Sequence, residues 1–260
     1  MKQPDHSEFM AFAETLADLS RAMLIAAARH KPDIEIKADA SFVTSTDKAV
    51  ETALRERILA TYPDHGILGE EFPSVNTGAE FVWVLDPIDG TAPFIAGIPV
   101  YGTLISLAWN GAPWLGVIDH PVTSDRWTGV AHESAHHNGV PVRVRDCAAL
   151  ERALITCSNA DFMAGEARAR FDIIRKRAQY VQYGGSCFAY AVMASGRTDM
   201  AIDGGMDPFD VYAPAAVILG AGGYFCDWQG QPLSFAMDGY VLAAGDKARL
   251  DEALATLGGA

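Results

Sequence analysis

Two carboxylates follow an apolar run in the segment WVLDPIDGT, residues 83–91. Asp86 closes the run, Asp89 comes three residues later, and Pro87 excludes a helix between them. Two carboxylates in so tight a turn can converge on one hard cation, and the Ile88 carbonyl offers a further oxygen ligand. This donor set is typical of Mg²⁺ coordination, although a lone segment of this composition is more often an ordinary turn.

Gly90 and Thr91 complete the segment with a glycine followed by a hydroxyl residue. At the start of a helix such a pair can offer backbone N–H groups to a phosphate. Short glycine-containing pieces occur in most domains, so this pair defines no phosphate site by itself. It becomes informative beside the carboxylates of Asp86 and Asp89.

Other acidic residues occupy comparable positions elsewhere. Glu70 and Glu71 follow the apolar stretch GILG, Asp47 opens a predicted helix, and Asp207 and Asp210 stand at the entrance of a very apolar helix. Adjacent acids are usually a solvated surface pair. A single Asp before a helix is usually its cap. Taken one at a time, these acids are best interpreted as surface residues or helix caps. Together, they place several carboxylates at strand ends and helix starts.

The segment HESAH, residues 132–136, matches the H-E-x-x-H zinc signature. That signature requires both histidines on one face of a helix. RWTGVA before it predicts a strand, and His137-Asn138-Gly139 after it predicts a turn, so we do not expect a zinc protease. No G-x-S-x-G motif is present, and no cysteine has a convincing histidine partner for nucleophilic catalysis.

Hydrophobic periodicity predicts the elements that must position these residues. Apolar residues at three- and four-residue steps predict a first helix that ends near His30. A second helix is expected at about residues 46–61, after an extended segment at 34–44. From Phe81 onward, apolar runs that meet at the Asn110-Gly111 turn predict a largely antiparallel sheet.

After Asn138-Gly139, strand-like and helical segments alternate, which predicts a sheet between helices. We place a boundary near residue 138. Residues 1–138 would form an N-terminal α+β half with the antiparallel sheet and the metal-binding loops, and residues 139–260 a C-terminal α/β half that completes the active site. No flexible linker separates them, so the two halves of this layered α/β fold are expected to pack tightly.

Composition excludes several partners. The chain has 260 residues, half of them hydrophobic, and a formal net charge of −13. An acidic chain is a poor partner for nucleic acid or anionic membranes, which bind Lys and Arg patches. A phosphate ligand would need a bound divalent cation to reverse the local charge. The segment MKQPDHSEF lacks an apolar signal, and four widely spaced cysteines predict buried free thiols, so a cytoplasmic protein is expected.

Four segments, in this order and spacing, closely resemble the inositol monophosphatase family of Mg²⁺-dependent phosphatases. They are VTSTDKAVE, the GEE at residues 69–71, WVLDPIDGT and the D-V-x-A helix entrance at Asp210. The resemblance covers about residues 35–245. It implies an αβαβα sandwich of the sugar-phosphatase type with the active site between the two halves, and a homodimer.

Carried over by position, the resemblance implies a complete site. The metal ligands, for two or three Mg²⁺ ions, would be Glu70, Asp86, the Ile88 carbonyl, Asp89 and Asp210. Asp47 and Thr91 would orient and deprotonate the attacking water, with Glu70 also counted as catalytic, while the Gly90 and Thr91 amides would hold the phosphate. The implied reaction is hydrolysis of a small phosphate monoester by in-line attack of water, without a phosphoenzyme. Because all these groups are present, a non-catalytic relative is disfavoured.

Within the family, several segments look similar to bacterial histidinol-phosphate phosphatases, among them GVIDHPVTSDRWTGV, HNGVPV and YGGSCFAYAVMASG. Histidinol phosphate is therefore the expected substrate, with inositol 1-phosphate or another sugar phosphate as the alternative. Two positions depart from that subgroup: Ala92-Pro93 replaces its usual Lys-Ser or Lys-Asn, and Ser186 replaces its usual Asp. Ser186 and Asp203 are expected to face the alcohol part of the substrate, so the second departure removes a carboxylate that could pair with an ammonium group.

Overall fold

The computed structural model describes residues 5–38 and 41–258. Its helices are α1 (Ser7–Ala27), α2 (Ser45–Thr61), α3 (Thr91–Ala96), α4 (Gly165–Arg177), α5 (Ser186–Ala194), α6 (Pro208–Gly220) and α7 (Lys247–Leu257). Its strands are β1 (Ile34–Ile36), β2 (Phe42–Thr44), β3 (Gly66–Gly69), β4 (Phe81–Asp89), β5 (Gly102–Trp109), β6 (Ala112–His120), β7 (Asp125–Val130), β8 (Ser134–His137), β9 (Val140–Pro141), β10 (Leu154–Cys157), β11 (Tyr180–Tyr183), β12 (Met200–Asp203), β13 (Tyr224–Asp227) and β14 (Val241–Ala244).

These elements stack in alternating helical and sheet layers. Helices α1 and α2 cover one face of a seven-stranded sheet, ordered β3-β4-β5-β6-β7-β8-β9. Helices α5 and α6 separate it from a five-stranded sheet, ordered β11-β10-β12-β14-β13, whose outer face is covered by α4 and α7. Three apolar clusters fill the spaces between the layers. The predicted αβαβα sandwich is confirmed.

Most predicted elements are found near their expected positions. The seven-stranded sheet is antiparallel except for the β3–β4 pair, and the extended segment at 34–44 contains the β1–β2 hairpin. Helix α1 ends at Ala27, earlier than expected. After it, the N–H groups of Arg29 and His30 donate to the carbonyls three residues earlier, of Ala26 and Ala27, instead of four residues earlier as in an α-helix. The short elements α3, β8, β9 and β11 were not expected from periodicity.

Other expectations have different outcomes. All four cysteines are free and buried, as expected. Strand β9 extends the first sheet past residue 138, and the division into two halves there stays a prediction. Residues 1–4 of the N-terminal segment, 39–40 of the extended segment and the last two residues lie outside the described part. Within residues 5–38 and 41–258, no helix combines the length and apolar composition that a membrane crossing requires.

Helix α6 lies between the two sheets, which explains why it has no polar face. Two glycines on neighbouring strands, Gly116 of β6 and Gly129 of β7, are direct partners across the ladder and face this helix. A Cβ atom at Gly116 would lie 2.5 Å from the Ala213 carbonyl oxygen, and one at Gly129 would lie 2.5 Å from the Val217 Cα. The paired glycines therefore let the middle of α6 touch β6 and β7, which sets how closely the helix approaches the sheet.

Gly116→Ala and Gly129→Ala should each destabilise the protein, because the added methyl group must push α6 off the sheet. We expect each variant to lose about 1–3 kcal/mol of unfolding free energy in urea. Gly78→Ala is the matched control, since a Cβ there meets nothing within 4 Å, and it should change stability by less than about 0.5 kcal/mol. Equal stabilities for the three variants would contradict the close packing of α6.

Candidate active site

A bulge at the end of β4 turns two acidic side chains toward one side. In a regular strand, residues three apart point to opposite faces. Asp86 pairs with Leu104 of β5 and Asp89 with Gly102, so Pro87 and Ile88 are accommodated by a register shift. Beneath the bulge, the Thr103 hydroxyl donates to the Pro87 carbonyl at 2.9 Å. The Ser20 hydroxyl of α1 in turn contacts that of Thr103.

The bulge brings together three of the predicted metal ligands. One carboxylate oxygen from each of Asp86, Asp89 and Asp210 lies within 4.8 Å of the others. Asp86 Oδ1 is buried and has no hydrogen-bond partner among the residues that the structure describes. Burial, reinforced by the charges of Glu70 and Asp89, raises the pKa of Asp86 well above its usual range, and burial does the same for Asp210. An orphaned carboxylate oxygen among converging carboxylates fits a hard divalent cation.

Asp210 and Asp47 reach the site from equivalent positions on two helices. Each lies in the first turn, and one oxygen of each carboxylate accepts the N–H of the residue three positions earlier, at 2.6 Å from Asp207 and 2.9 Å from Thr44. The N-cap interpretation is therefore correct for Asp207 only: Asp47 and Asp210 are the third residues of capping boxes whose N-caps are Thr44 and Asp207. The second oxygen of each carboxylate is not used by that bond, so capping does not exclude a role in the site.

Asp47 and Thr91 meet as the predicted pair. Thr91 Oγ1 lies 3.2 Å from Asp47 Oδ1 and 3.1 Å from the Ile88 carbonyl oxygen. Asp47 is fully buried, and burial raises its pKa, against the hydrogen bonds from Thr44 and Thr91. A hydroxyl between a carboxylate and the bulge is well placed to pass a proton to that carboxylate.

Glu70 is held by a cation that sequence reasoning missed. Lys37 Nζ, just after β1, lies 2.9 Å from a carboxylate oxygen of Glu70 and 2.9 Å from one of Glu71. Burial, opposed by the bond from Lys37, raises the pKa of Glu70 to about 7. Glu70 is close enough for its charge to act on Asp86, but its carboxylate is not one of the three that converge.

A buried carboxylate supports this turn from behind. Glu51 of α2 accepts the Glu71 N–H at 2.8 Å and pairs with Arg55 at 2.7 Å. Its approach requires Gly69, because a Cβ at that position would lie 2.2 Å from Glu51 Oε1. Neither Lys37 nor Glu51 carried a recognisable signal in the sequence, since both act only through contacts made on folding.

The first turn of α5 closes the other side of the site. Ser186 has a φ of 47°, and its Oγ lies 2.5 Å from where a Cβ on Gly90 would be, so only glycine fits at position 90. The next N–H, of Cys187, donates to Asp89 at 2.5 Å, and Cys187 Sγ lies 3.4 Å from His120 Nε2. Ser186 is thus placed beside Gly90, as its predicted role requires.

Asp203 occupies a more enclosed position than expected. Its side chain is almost fully buried, and its two oxygens accept bonds from the Ser158 N–H and the Tyr190 hydroxyl, each at 2.6 Å. Burial raises its pKa to about 6, against these two bonds. The carboxylate therefore joins the ends of β10 and β12 to α5, and its contact with a substrate stays a prediction.

The histidines of the HESAH segment form no helical zinc site. Residues 134–137 form β8, and His132 precedes it in a left-handed conformation with φ of 64°. His132 and His136 therefore do not share a helix face, which confirms the interpretation based on the flanking segments.

Comparison with known proteins agrees with this geometry. The sequence profile of the inositol monophosphatase family matches residues 5–258. The chain is 38% identical to the bifunctional phosphatase IMPL2, chloroplastic, of Arabidopsis thaliana, over 96% of this chain and 75% of that protein. It is 34% identical to a histidinol-phosphatase of Chlorobaculum parvum, over 80% of each chain. A solved inositol monophosphatase from Zymomonas mobilis has a TM-score of 0.89 at 35% identity, covering 98% of this chain and 100% of that one.

The fold, the acidic cluster and these matches define a phosphoric monoester hydrolase. The chain belongs to the inositol monophosphatase family.

In the absence of divalent cations, unfolding free energy should fall as pH rises. Glu70, Asp86, Asp89 and Asp210 have raised pKa values when folded, so the folded protein holds more protons than the unfolded chain. Their stabilising protonation is lost as pH passes through the folded pKa values, about 7 for Glu70. We expect a loss of about 1–3 kcal/mol between about pH 7 and 8.5, measured by urea unfolding in EDTA.

That pH range avoids an opposing effect of His65 and His120, whose lowered pKa values leave them largely neutral in both states there. Saturating Mg²⁺ should flatten the dependence, and Glu70→Gln should reduce it. Stability in EDTA that is constant or rises with pH would contradict the raised pKa values.

Proposed function

We propose that this enzyme is a Mg²⁺-dependent phosphomonoesterase that acts on histidinol phosphate. The observation that carries the metal assignment is the convergence of Asp86, Asp89 and Asp210, where Asp86 Oδ1 has no hydrogen-bond partner in the described part of the chain. Oxygen-only donors are those that Mg²⁺ prefers. The Ile88 carbonyl and Glu70 are the further ligands in this proposal, which holds two or three ions.

The protein's residues divide the remaining work. Bound Mg²⁺ supplies charge neutralisation for the doubly anionic phosphate and makes water more acidic. Thr91 Oγ1 takes a proton from the attacking water while its own proton passes to Asp47 Oδ1, 3.2 Å away. The Gly90 and Thr91 amides, at the start of α3, donate to phosphoryl oxygens. Water attacks phosphorus directly, in line with the departing alkoxide, so no phosphoenzyme forms.

Two observations support histidinol phosphate. Among the relatives, the Chlorobaculum parvum protein is a histidinol-phosphatase at 34% identity. Asp203, which is expected to face the alcohol part of the substrate, also already accepts two protein hydrogen bonds, which reduces its capacity to bind the hydroxyl groups of a polyol. Inositol 1-phosphate is the alternative, supported by the Zymomonas mobilis structure. The homodimer and the cytoplasmic location stay predictions.

Asp86→Asn should remove a metal ligand without disrupting the fold. We expect kcat/KM to fall about 10³-fold or more, because several kcal/mol of charge stabilisation are lost. In EDTA the variant should be at least as stable as the wild type, since a buried and repelled carboxylate becomes neutral. Glu133→Gln is the matched control, because that half-exposed acid pairs only with His6 in the described structure. Full Mg²⁺-dependent activity in Asp86→Asn would refute the metal assignment.

A substrate panel tests the specificity. Phosphate release should be fastest, by at least about tenfold in kcat/KM, with histidinol phosphate over inositol 1-phosphate and fructose 1,6-bisphosphate, each with Mg²⁺. A preference for inositol 1-phosphate would favour the alternative. Failure to hydrolyse any of the three despite Mg²⁺ binding would point instead to a non-catalytic relative.

A further inference from the structure

A polar cavity of about 410 Å³ opens where β10 and β11 end. These strands are parallel and end together, at Cys157 and Tyr183. In this sheet, β10 lies between β11 and β12. The chain passes from β10 to β11 through α4 on one face of the sheet and from β11 to β12 through α5 on the other face. In open α/β sheets, ligands bind outside the carboxyl ends of the strands at such a change of direction. The fold therefore favours the binding of a ligand in this cavity.

A short segment joins the cavity to the phosphate side of the active site. Tyr183 lines the cavity, and Ser186, three residues later, lies against Gly90. Three residues span about 10 Å at most. The Gly184 N–H donates to the Cys157 carbonyl at 3.0 Å, so the segment turns tightly against the end of β10. The organic part of a phosphate monoester held near Gly90 can therefore extend into the cavity.

Two arginines of α4 line the cavity, and they differ in which donors are occupied. Arg168 uses one terminal amino group for both the Ala160 carbonyl at 2.8 Å and the Asp161 carboxylate at 3.2 Å, and its buried Nε has no hydrogen-bond partner among the described residues. Arg175 uses its Nε for Asp172 at 2.8 Å, and its terminal amino groups have no hydrogen-bond partner within residues 5–38 and 41–258. The half-exposed Tyr183 ring is close enough for the Arg175 charge to act on it.

The charges of this cavity suit a neutral group better than a second phosphate. Arg168 and Arg175 are balanced by Asp161, which also lines the cavity, and by Asp172, which pairs with both arginines. Because these positive and negative charges cancel, the cavity attracts a second phosphate dianion only weakly. By contrast, a guanidinium and a phenol ring both stack on flat groups, and the free Arg175 donors match a ring nitrogen that accepts a hydrogen bond.

We propose that this cavity binds a flat, nitrogen-containing ring of the substrate, with Arg175 donating to a ring nitrogen and Tyr183 packing against the ring. The inference rests on the proposed function, because the imidazole of histidinol phosphate is such a ring, joined to the phosphorylated carbon by a short flexible chain. Arg175 and Tyr183 are then specificity-determining residues that take no part in the proton transfer.

The test compares a substrate that has the ring with one that lacks it. Arg175→Ala and Tyr183→Ala are assayed with histidinol phosphate and with 2-aminoethyl phosphate, which keeps the phosphate and ammonium but has no ring. If 2-aminoethyl phosphate turns over too slowly, its inhibition constant is measured instead. We expect KM for histidinol phosphate to rise about tenfold in each variant with kcat little changed, and the constant for 2-aminoethyl phosphate to stay within about twofold.

Two control variants separate the ring interaction from general damage. Arg177→Ala removes an arginine of the same helix whose guanidinium pairs with Glu151 and Glu252, and it should leave both KM values unchanged. Tyr183→Phe keeps the ring and should behave like the wild type.

Equal losses on both probes, or no change in KM for histidinol phosphate, would overturn the inference while leaving the proposed function intact. A selective loss with fructose 1,6-bisphosphate in Arg175→Ala would also overturn it, by showing an anion subsite. A wild-type enzyme that is inactive on histidinol phosphate would overturn the proposed function first, and this inference with it.

Discussion

The structure is organised around the mutual repulsion of buried carboxylates. Asp86, Asp89 and Asp210 present oxygens within 4.8 Å of one another, with Glu70 and Asp47 close enough for their charges to act on Asp86. Without a bound cation or a rigid support, carboxylates this close together would take up protons or move apart. The cluster persists because its members are attached to rigid elements, Asp86 and Asp89 to β4 and Asp210 to α6, and the packing of those elements leaves the side chains little freedom to separate.

The first sheet and the helical layers on its two faces contribute to that attachment. The bulge in β4 is held by buried hydroxyls of β5 and α1, and the first turns of α2 and α6 hold Asp47 and Asp210 by capping bonds. The paired glycines under α6 set how closely that helix approaches the sheet. The first turn of α5 contributes an N–H to Asp89 and a serine beside Gly90. The candidate cation site therefore depends on how the layers pack, because only Asp86 and Asp89 of the acidic cluster lie in the same segment of the chain.

Much of this could be predicted from the sequence. Local patterns were sufficient for α2, β4 to β7 and the helix that carries Asp210, and the spacing of the acids indicated the cation site. What could not be predicted depends on contacts between distant segments: the bond of Lys37 to Glu70, the support of Glu51 behind Gly69, and the enclosure of Asp203 between β10 and α5. A charged residue in a loop has no period or motif that reveals its partner. The placement of Arg175 at a cavity likewise required the order of strands in the sheet.

The net charge of −13 is in part a local property, because five of the acids lie close together at the proposed phosphate site. Cations must then bind before the phosphate does. Calorimetric titration of inorganic phosphate into the protein measures this order. We expect no detectable binding in EDTA and clear binding once Mg²⁺ is saturating. Phosphate binding of equal affinity in EDTA and in Mg²⁺ would contradict it.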